Sequence, residues 1–267
     1  MATSLANLIT ALLSTAALPA PPVAGAADWY QPPVDVDWQV QLQGEPNTGY
    51  DVDLYVLDLF DTNQTVIDDL HAQGHRMICY FSAGTFENWR EDADRFTAAD
   101  KGRRLGDWPG ERWLDIRSDN VRAIMADRLD LAVEKGCDGV DPDNVDGYSN
   151  RNGLSLTAAD QLDYNTWLAG QAHQRGLAIS LKNDLGQVED LVAYFDFAVN
   201  ESCHEWNECG MLTPFIEAGK PVLHIDYLYA SDPEGRARLC QYTDSLGFRT
   251  LTLPPLLDDT FRQSCQP

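Results

Sequence analysis

Short apolar runs alternate with longer amphipathic segments along this chain, and that alternation limits the fold more than any other feature. Eight runs read as strands: Trp38–Leu42, Asp53–Asp58, Arg76–Phe81, Gly139–Asp143, Leu177–Lys182, Phe195–Glu201, Pro221–Asp226 and Phe248–Leu253. Helices are expected from Thr62 to Gln73, from a Ser118-Asp119 cap to Lys135, and from Thr157 to Arg175. Further helices are expected near Gln187–Tyr194, around Leu212–Ala218 and from Pro233 to Leu246. Gly74, Gly136, Gly219 and Gly247 follow four of these segments where a left-handed C-terminal residue is needed. Gly84 to Arg117 forms a long insertion rich in Trp, Gly and charge, and the tail after Leu253 reads as irregular. Strands separated by crossover helices lie parallel, and eight such units in about 240 residues predict a single-domain (β/α)8 TIM barrel. An open doubly wound sheet is the structural alternative, but no GxGxxG or P-loop marks a nucleotide site.

The barrel is expected over residues 28–267. Met1 to Ala27 carries no charge and no cysteine, with an apolar run from Leu5 to Leu18 and then Pro19, Pro21, Pro22 and Ala24-Gly25-Ala26. The run is too short to span a bilayer and reads as a secretory signal peptide over residues 1–26, despite an n-region without Lys or Arg. Six cysteines suit an oxidising compartment. Cys203 and Cys209 are near enough to staple one loop, and Cys240 and Cys265 would tie the final helix to the tail. Cys79 lies in an apolar run, so a buried thiol and a bridge to Cys137 both stay open. No CxxC or His-rich pairing marks a zinc site. Asn63-Gln-Thr65 and Asn200-Glu-Ser202 match the glycosylation sequon, the second beside a candidate catalytic acid and read as a chance match.

Charge narrows the partners. With 19 Lys+Arg against 42 Asp+Glu, the net charge is −23, which opposes binding to nucleic acid or to an anionic membrane surface. A neutral or cationic ligand suits such a field. No segment beyond the leader is apolar enough to be transmembrane, and a monomer is expected.

In a barrel of this kind the active site lies at the C-terminal strand ends. Those ends carry Gln41 and Gln43, Asp58, Tyr80 and Ser82, Asp141 and Asp143, Lys182 to Asp184, Glu201, and Asp226 with Tyr227. Acids converging on one rim repel one another, which keeps a proton on some of them, and a protonated and an ionised carboxyl facing one bond is what glycoside hydrolysis needs. Trp38, Tyr80, Trp89, Trp108, Trp113, Tyr148 and Trp206 offer sugar-stacking faces or ordinary packing. Asp138-Gly-Val-Asp-Pro-Asp-Asn-Val-Asp146 puts Asp141 and Asp143 on one face if the strand persists past Pro142. The same segment also fits an Asx-rich turn or a calcium-like loop, although the EF-hand pattern is not met. Glu201 ends an apolar strand, where a carboxyl without a role would be costly.

Several ordered motifs go further. They are Trp29-Tyr-Gln-Pro-Pro with Trp38-Gln-Val-Gln-Leu42, Asp58-Leu-Phe-Asp-Thr62, Cys79-Tyr-Phe-Ser-Ala-Gly84 with Glu87-Asn-Trp-Arg90, and Trp113-Leu-Asp-Ile-Arg117. Downstream come the Asp138–Asp146 segment, Leu181-Lys-Asn-Asp184 and Ala198-Val-Asn-Glu-Ser-Cys203. Together they make the chain resemble glycoside hydrolase family 114, the endo-α-1,4-polygalactosaminidases, over nearly all of residues 28–267. The resemblance implies a catalytic pair, Asp143 after the fourth strand and Glu201 after the sixth, acting on a cationic or partly deacetylated galactosamine polymer. It implies retention, with Asp143 as nucleophile and Glu201 as acid/base, and the two roles are interchangeable at this level. Asp141 and Asp226 stand where the family usually has glutamate. Asp58, Tyr80, Asp141, Lys182, Asp226 and Trp38 are the expected substrate-binding or tuning residues. This chemistry requires neither metal nor organic cofactor. A glycosidase for another α-linked sugar, a non-catalytic carbohydrate-binding barrel and a metal-dependent hydrolase are the competing readings.

Overall fold

The computed structural model describes residues 28–106 and 108–266, so the leader expected over residues 1–26 lies outside them. Eight parallel strands follow one another around a (β/α)8 barrel: β1 (Trp38–Gln41), β2 (Leu54–Asp58), β3 (Arg76–Ser82), β4 (Gly139–Asp143), β5 (Ala178–Lys182), β6 (Phe197–Glu201), β7 (Val222–Asp226) and β8 (Arg249–Thr252). Each of β1 to β7 is hydrogen-bonded to the next. The outer helices are α1 (Gln64–Ala72), α2 (Asp119–Lys135), α3 (Ala158–Gln174), α4 (Val188–Leu191), α5 (Cys203–Trp206), α6 (Thr213–Glu217) and α7 (Pro233–Ser245). Among the described residues the β1–β2 connection contains no helix.

Helix boundaries follow local chemistry. The Ser118 side chain accepts the Val121 amide at the start of α2, and Gly136 closes it at φ 79°, a conformation that costs glycine nothing. The buried stripe of α2 is Val121, Ile124, Met125, Arg128, Leu129 and Ala132, which is helical spacing against the sheet. Thr157 and Asp160 form a reciprocal capping box on α3.

Strand residues alternate between two cores. Outward positions such as Tyr55, Leu57, Met77, Cys79, Val140 and Ile179 pack under the helices. Inward positions, among them Trp38, Leu54, Val56, Ile78, Ala178, Phe197, Val199, Leu223 and Leu251, fill the barrel.

Two parts depart from the expectation. The Gly84–Arg117 insertion folds into a three-stranded antiparallel sheet in which Glu111–Leu114 is flanked by Thr85–Glu87 and Lys101–Arg104. Gly84 lets it approach the barrel, because a Cβ there would lie 1.7 Å from the Asn144 carbonyl oxygen. The tail after Leu253 is not irregular throughout. Gln263–Ser264 forms β9, antiparallel to β8 on the side facing β1. Among the described residues no ladder joins β8 to β1, and the tail fills that seam. Leu257 O accepts the Leu42 and Gln43 amides at 2.9 and 3.3 Å, and Arg262 donates to Trp38 O at 2.8 Å.

Three disulfides join Cys79–Cys137, Cys203–Cys209 and Cys240–Cys265. Cys79 is therefore no free thiol, and its bridge closes the chain over the insertion and α2. No helix among the described residues is long and apolar enough to cross a membrane.

Candidate active site

The inward positions change character with height. Near the bottom they are apolar; at the C-terminal rim they are Asp58, Tyr80, Asp143, Lys182 and Glu201, joined by Tyr227 just past β7. β4 continues through Pro142, so Asp141 and Asp143 do share the inner face. Asp141 lies one layer down, buried and bonded by the Ser180 hydroxyl. Burial pushes its carboxyl up to about 6, with Asp143 and Glu201 adding to the rise and Lys182 and Ser180 opposing it.

The upper layer converges on one ammonium. Lys182 Nζ lies 3.3 Å from Asp143 Oδ1 and 3.3 Å from Glu201 Oε2. Burial alone would drive this lysine towards neutrality, but Asp143, Glu201 and Asp141 outweigh it and hold it firmly cationic. Tyr80 Oη donates to Asp143 Oδ2 at 2.8 Å, and the Asn144 amide donates to Asp143 Oδ1 at 2.7 Å. Tyr227 Oη donates to Glu201 Oε1. Burial and then the adjacent carboxylates raise both phenols, so each stays a donor.

The backbone explains why these side chains end their strands at the rim. Asp143, Lys182 and Glu201 are each followed by a left-handed residue: Asn144 at φ 61°, Asn183 at φ 52° and Ser202 at φ 64°. A left-handed residue ends a strand abruptly, and asparagine tolerates that conformation better than most. Asn183 then turns its side chain to use, its Oδ1 accepting the Glu201 amide at 3.0 Å and Asn200 Nδ2 at 3.2 Å.

A cleft of about 520 Å3 opens over this layer. Its lining includes Asp58, Asp61, Glu87, Glu111, Asp143, Asp146 and Glu201 against two cations, Arg90 and Lys182. Both cations are already committed to acids. Arg90 grips Asp58 with both terminal nitrogens, at 2.6 and 2.9 Å, and Glu87 at 2.9 and 3.0 Å. Glu87 faces Glu111 across the insertion sheet. Glu111 receives Thr85 Oγ1 at 2.7 Å, and burial pushes it up to about 7, with Glu87 and Asp143 contributing. Trp89, Trp108 and Trp113 complete that wall, the first two well exposed. Behind Asp146, Asp184 is pushed up to about 8 by burial and by Asp146, with one carboxylate oxygen unpartnered.

Two expected substrate contacts lie elsewhere. Trp38 is 1% exposed in the barrel interior, its indole donating to Arg249 O at 3.0 Å. Its position low on β1 buries the ring that was expected to stack on sugar. Asp226 falls on the outward parity of β7 and caps the following turn by accepting the Leu228 and Tyr229 amides. The inward neighbour is Tyr227. Asp58 does line the cleft, but Arg90 and the Phe60 and Asp61 amides occupy its oxygens. Sequence reasoning missed Glu111 and undervalued Glu87-Asn-Trp-Arg90, although that run was one of the matching motifs. It had Tyr227 on the rim without a role.

Among the described residues, Cys203, Cys209 and His224 form the one group of three metal-type donors with convergent atoms. Both sulfurs are held in a disulfide, so this group cannot supply thiolates.

Comparison with known proteins places the fold among glycoside hydrolases. The sequence model of glycoside-hydrolase family GH114 matches residues 19–267. The crystal structure of Aspergillus fumigatus Ega3 in complex with galactosamine superposes with a TM-score of 0.84 at 42% identity, covering 88% of this chain and 97% of that one. The glycoside hydrolase domain of PelA from Pseudomonas aeruginosa shares the fold, with a TM-score of 0.70 at 19% identity over 84% of this chain and 96% of that one. A Deinococcus radiodurans protein is 26% identical over 269 residues, 81% of this chain and 85% of its own length.

Proposed function

The chain belongs to glycoside-hydrolase family GH114, and from that membership we propose an exported endo-acting enzyme that cleaves α-1,4-linked galactosamine-containing polysaccharide. Asp143 is the nucleophile and Glu201 the acid/base. The observation that carries this reading is the shared contact of both carboxylates with Lys182. Two contacts of 3.3 Å to one nitrogen hold the bonded oxygens no farther apart than twice that distance. Retaining pairs stand about 5–5.5 Å apart, and inverting pairs need about 6.5–9.5 Å for a water. The bridge therefore favours retention.

The division of roles rests on donors. Asp143 accepts from Tyr80, Lys182 and the Asn144 amide, a setting that suits a nucleophilic oxygen held in place. Glu201 is the more exposed carboxyl, at 27% against 18%, which suits a group that trades protons with leaving group and water. An Asp143 oxygen attacks the anomeric carbon as the glycosidic bond breaks, and the Glu201 proton passes to the departing oxygen. Glu201 then takes a proton from water, whose oxygen displaces Asp143 from the sugar. Two inversions give retention.

The galactosamine complex of the 42% identical Ega3 supports the substrate class. So does the cleft, whose acids outnumber its cations and whose cations are paired; a chain of protonated amines is drawn into such a field. Three disulfides support assembly in an oxidising compartment.

The deciding experiment is hydrolysis of partly deacetylated galactosaminogalactan by wild type, Asp143→Asn and Glu201→Gln, with anomeric proton spectra of the first products. Both variants lose activity by several orders of magnitude and wild type releases α-anomers first. Near-normal turnover by either variant would remove the pair.

A further inference from the structure

Two tripeptides of this chain match Asn-x-Ser/Thr, and the fold separates them. Asn200 lies within β6 with no exposure. Its Oδ1 accepts the Cys203 amide at 3.0 Å and its Nδ2 donates to Asn183 Oδ1 at 3.2 Å. A sugar on that nitrogen would displace Asn183, which also fixes the Glu201 amide. The folded barrel has no place for a glycan there.

Asn63 is the opposite case. Asn63, Gln64 and Thr65 are all exposed. Asn63 precedes α1 with extended backbone, φ −65° and ψ 143°, and its side chain makes no cap hydrogen bond to the helix. Asparagine at this position ordinarily caps, so here the amide is left without its usual task. Its neighbour Gln64 turns instead to Asp68 and to Lys135 O, at 3.0 and 2.9 Å. Asn63 also sits beside the cleft: Asp61 lines it, and Thr62 lines the adjoining depression with Gln41, Gln43 and Pro46.

We propose that Asn63 is the acceptor of an N-linked glycan standing on the barrel rim next to the acidic cleft. The bond forms between Asn63 Nδ2 and the anomeric carbon of an oligosaccharide carried on a lipid pyrophosphate. The amide gives up one proton, and the lipid pyrophosphate leaves with the electron pair of the bond that breaks. The site rests on the exported reading of the chain, since the donor lies in the secretory route. A neutral, hydrated glycan there flanks one end of the groove without touching Asp143, Glu201 or Lys182.

The test is expression of the full chain in a secretory yeast, once behind its own residues 1–26 and once behind a host leader. Secreted protein loses mass on treatment with peptide N-glycosidase, with Asn63 converted to aspartate and Asn200 unmodified in the peptide map. Asn63→Gln abolishes the mass loss and keeps kcat/KM within about twofold. An unmodified Asn63 in secreted protein carrying all three disulfides overturns the proposal, as does a glycan on Asn200. Intracellular retention of the first form, with a glycosylated Asn63 in the second, would overturn export and leave the acceptor site standing.

Discussion

Asp143 and Glu201 share a single buried counter-ion, Lys182, each through one carboxylate oxygen at 3.3 Å. Neither acid has an arginine fork, and no second lysine lines the cleft among the described residues. The charge balance of the site therefore turns on one side chain.

Replacing Lys182 with Met removes that charge from among Asp141, Asp143 and Glu201 while roughly preserving volume. Turnover is expected to fall by about 10²–10³, the usual loss when one preorganised charge or donor is removed. Lys182 is also the leading group holding Asp141 down against burial, so Asp141 moves above about 6 in the variant. A pH–rate profile, with circular dichroism to confirm the fold, checks both. Wild-type kcat would remove Lys182 from the mechanism.

Tyr227 and Asp226 are adjacent and opposite in effect. Tyr227→Phe deletes the hydroxyl that donates to Glu201, and a hydrogen bond to a charged group of about 1.5 kcal/mol or more corresponds to at least a tenfold fall in kcat. Asp226→Ala instead strips a turn cap and lowers Tm, with kcat within about threefold. Parallel melting curves and kinetics decide it, and the reverse pattern would refute the inward–outward assignment.

Glu111, poised at about 7 in the wall of the cleft, links binding to pH. Its carboxyl gains charge as pH rises through that value, so KM for a cationic galactosamine polymer falls between about pH 5.5 and 7. Glu111→Gln flattens the dependence and raises KM at pH 7 by roughly two- to fivefold, the worth of a partly screened ion pair. Fully acetylated chains respond little. Equal effects on both polymers would take amine recognition away from Glu111.

Stability carries its own pH signature. Asp141, Asp146 and Asp184 are raised from 3.8 to about 6, about 6 and about 8. A carboxyl raised on folding stabilises the native state in its protonated form, and that contribution disappears as pH climbs through the folded value. Tm is thus higher near pH 5.5 than near pH 8.5. Asp184→Asn, which stays neutral, recovers part of the loss at pH 8.5, at roughly 2–4 °C for each kcal/mol. A flat Tm from pH 5 to 9 would contradict the burial of these acids.

Local chemistry made part of this molecule readable from its sequence. Ser118 and Gly136 mark the ends of α2 because capping needs only neighbours. The turn-forming pairs Asp143-Asn144 and Lys182-Asn183 likewise announce strand ends by themselves. Strand parity was harder. A shift of one residue exchanges the inner and outer faces, so sequence alone favours Asp226 over the inward Tyr227. Trp38 has the inward parity, but its height at the start of β1 buries it in the barrel. Glu111 and the Arg90–Asp58 grip lay beyond reach for another reason. They depend on an antiparallel insertion folding back over β2, and no local pattern encodes that return. A two-residue strand such as β9 has no periodicity to detect.

The seam between β1 and β8 has a dynamic consequence. The successive parallel strand pairs open only if a backbone ladder breaks, whereas this junction depends on tail contacts such as Leu257 O with the Leu42 and Gln43 amides. It is the least costly place for the ring to breathe. Those two amides are expected to exchange with deuterium faster than the amides of β4 to β6. Leu42, Gln43 and Leu257 also line the cleft, so an opening of this seam would reach the wall of the cleft itself.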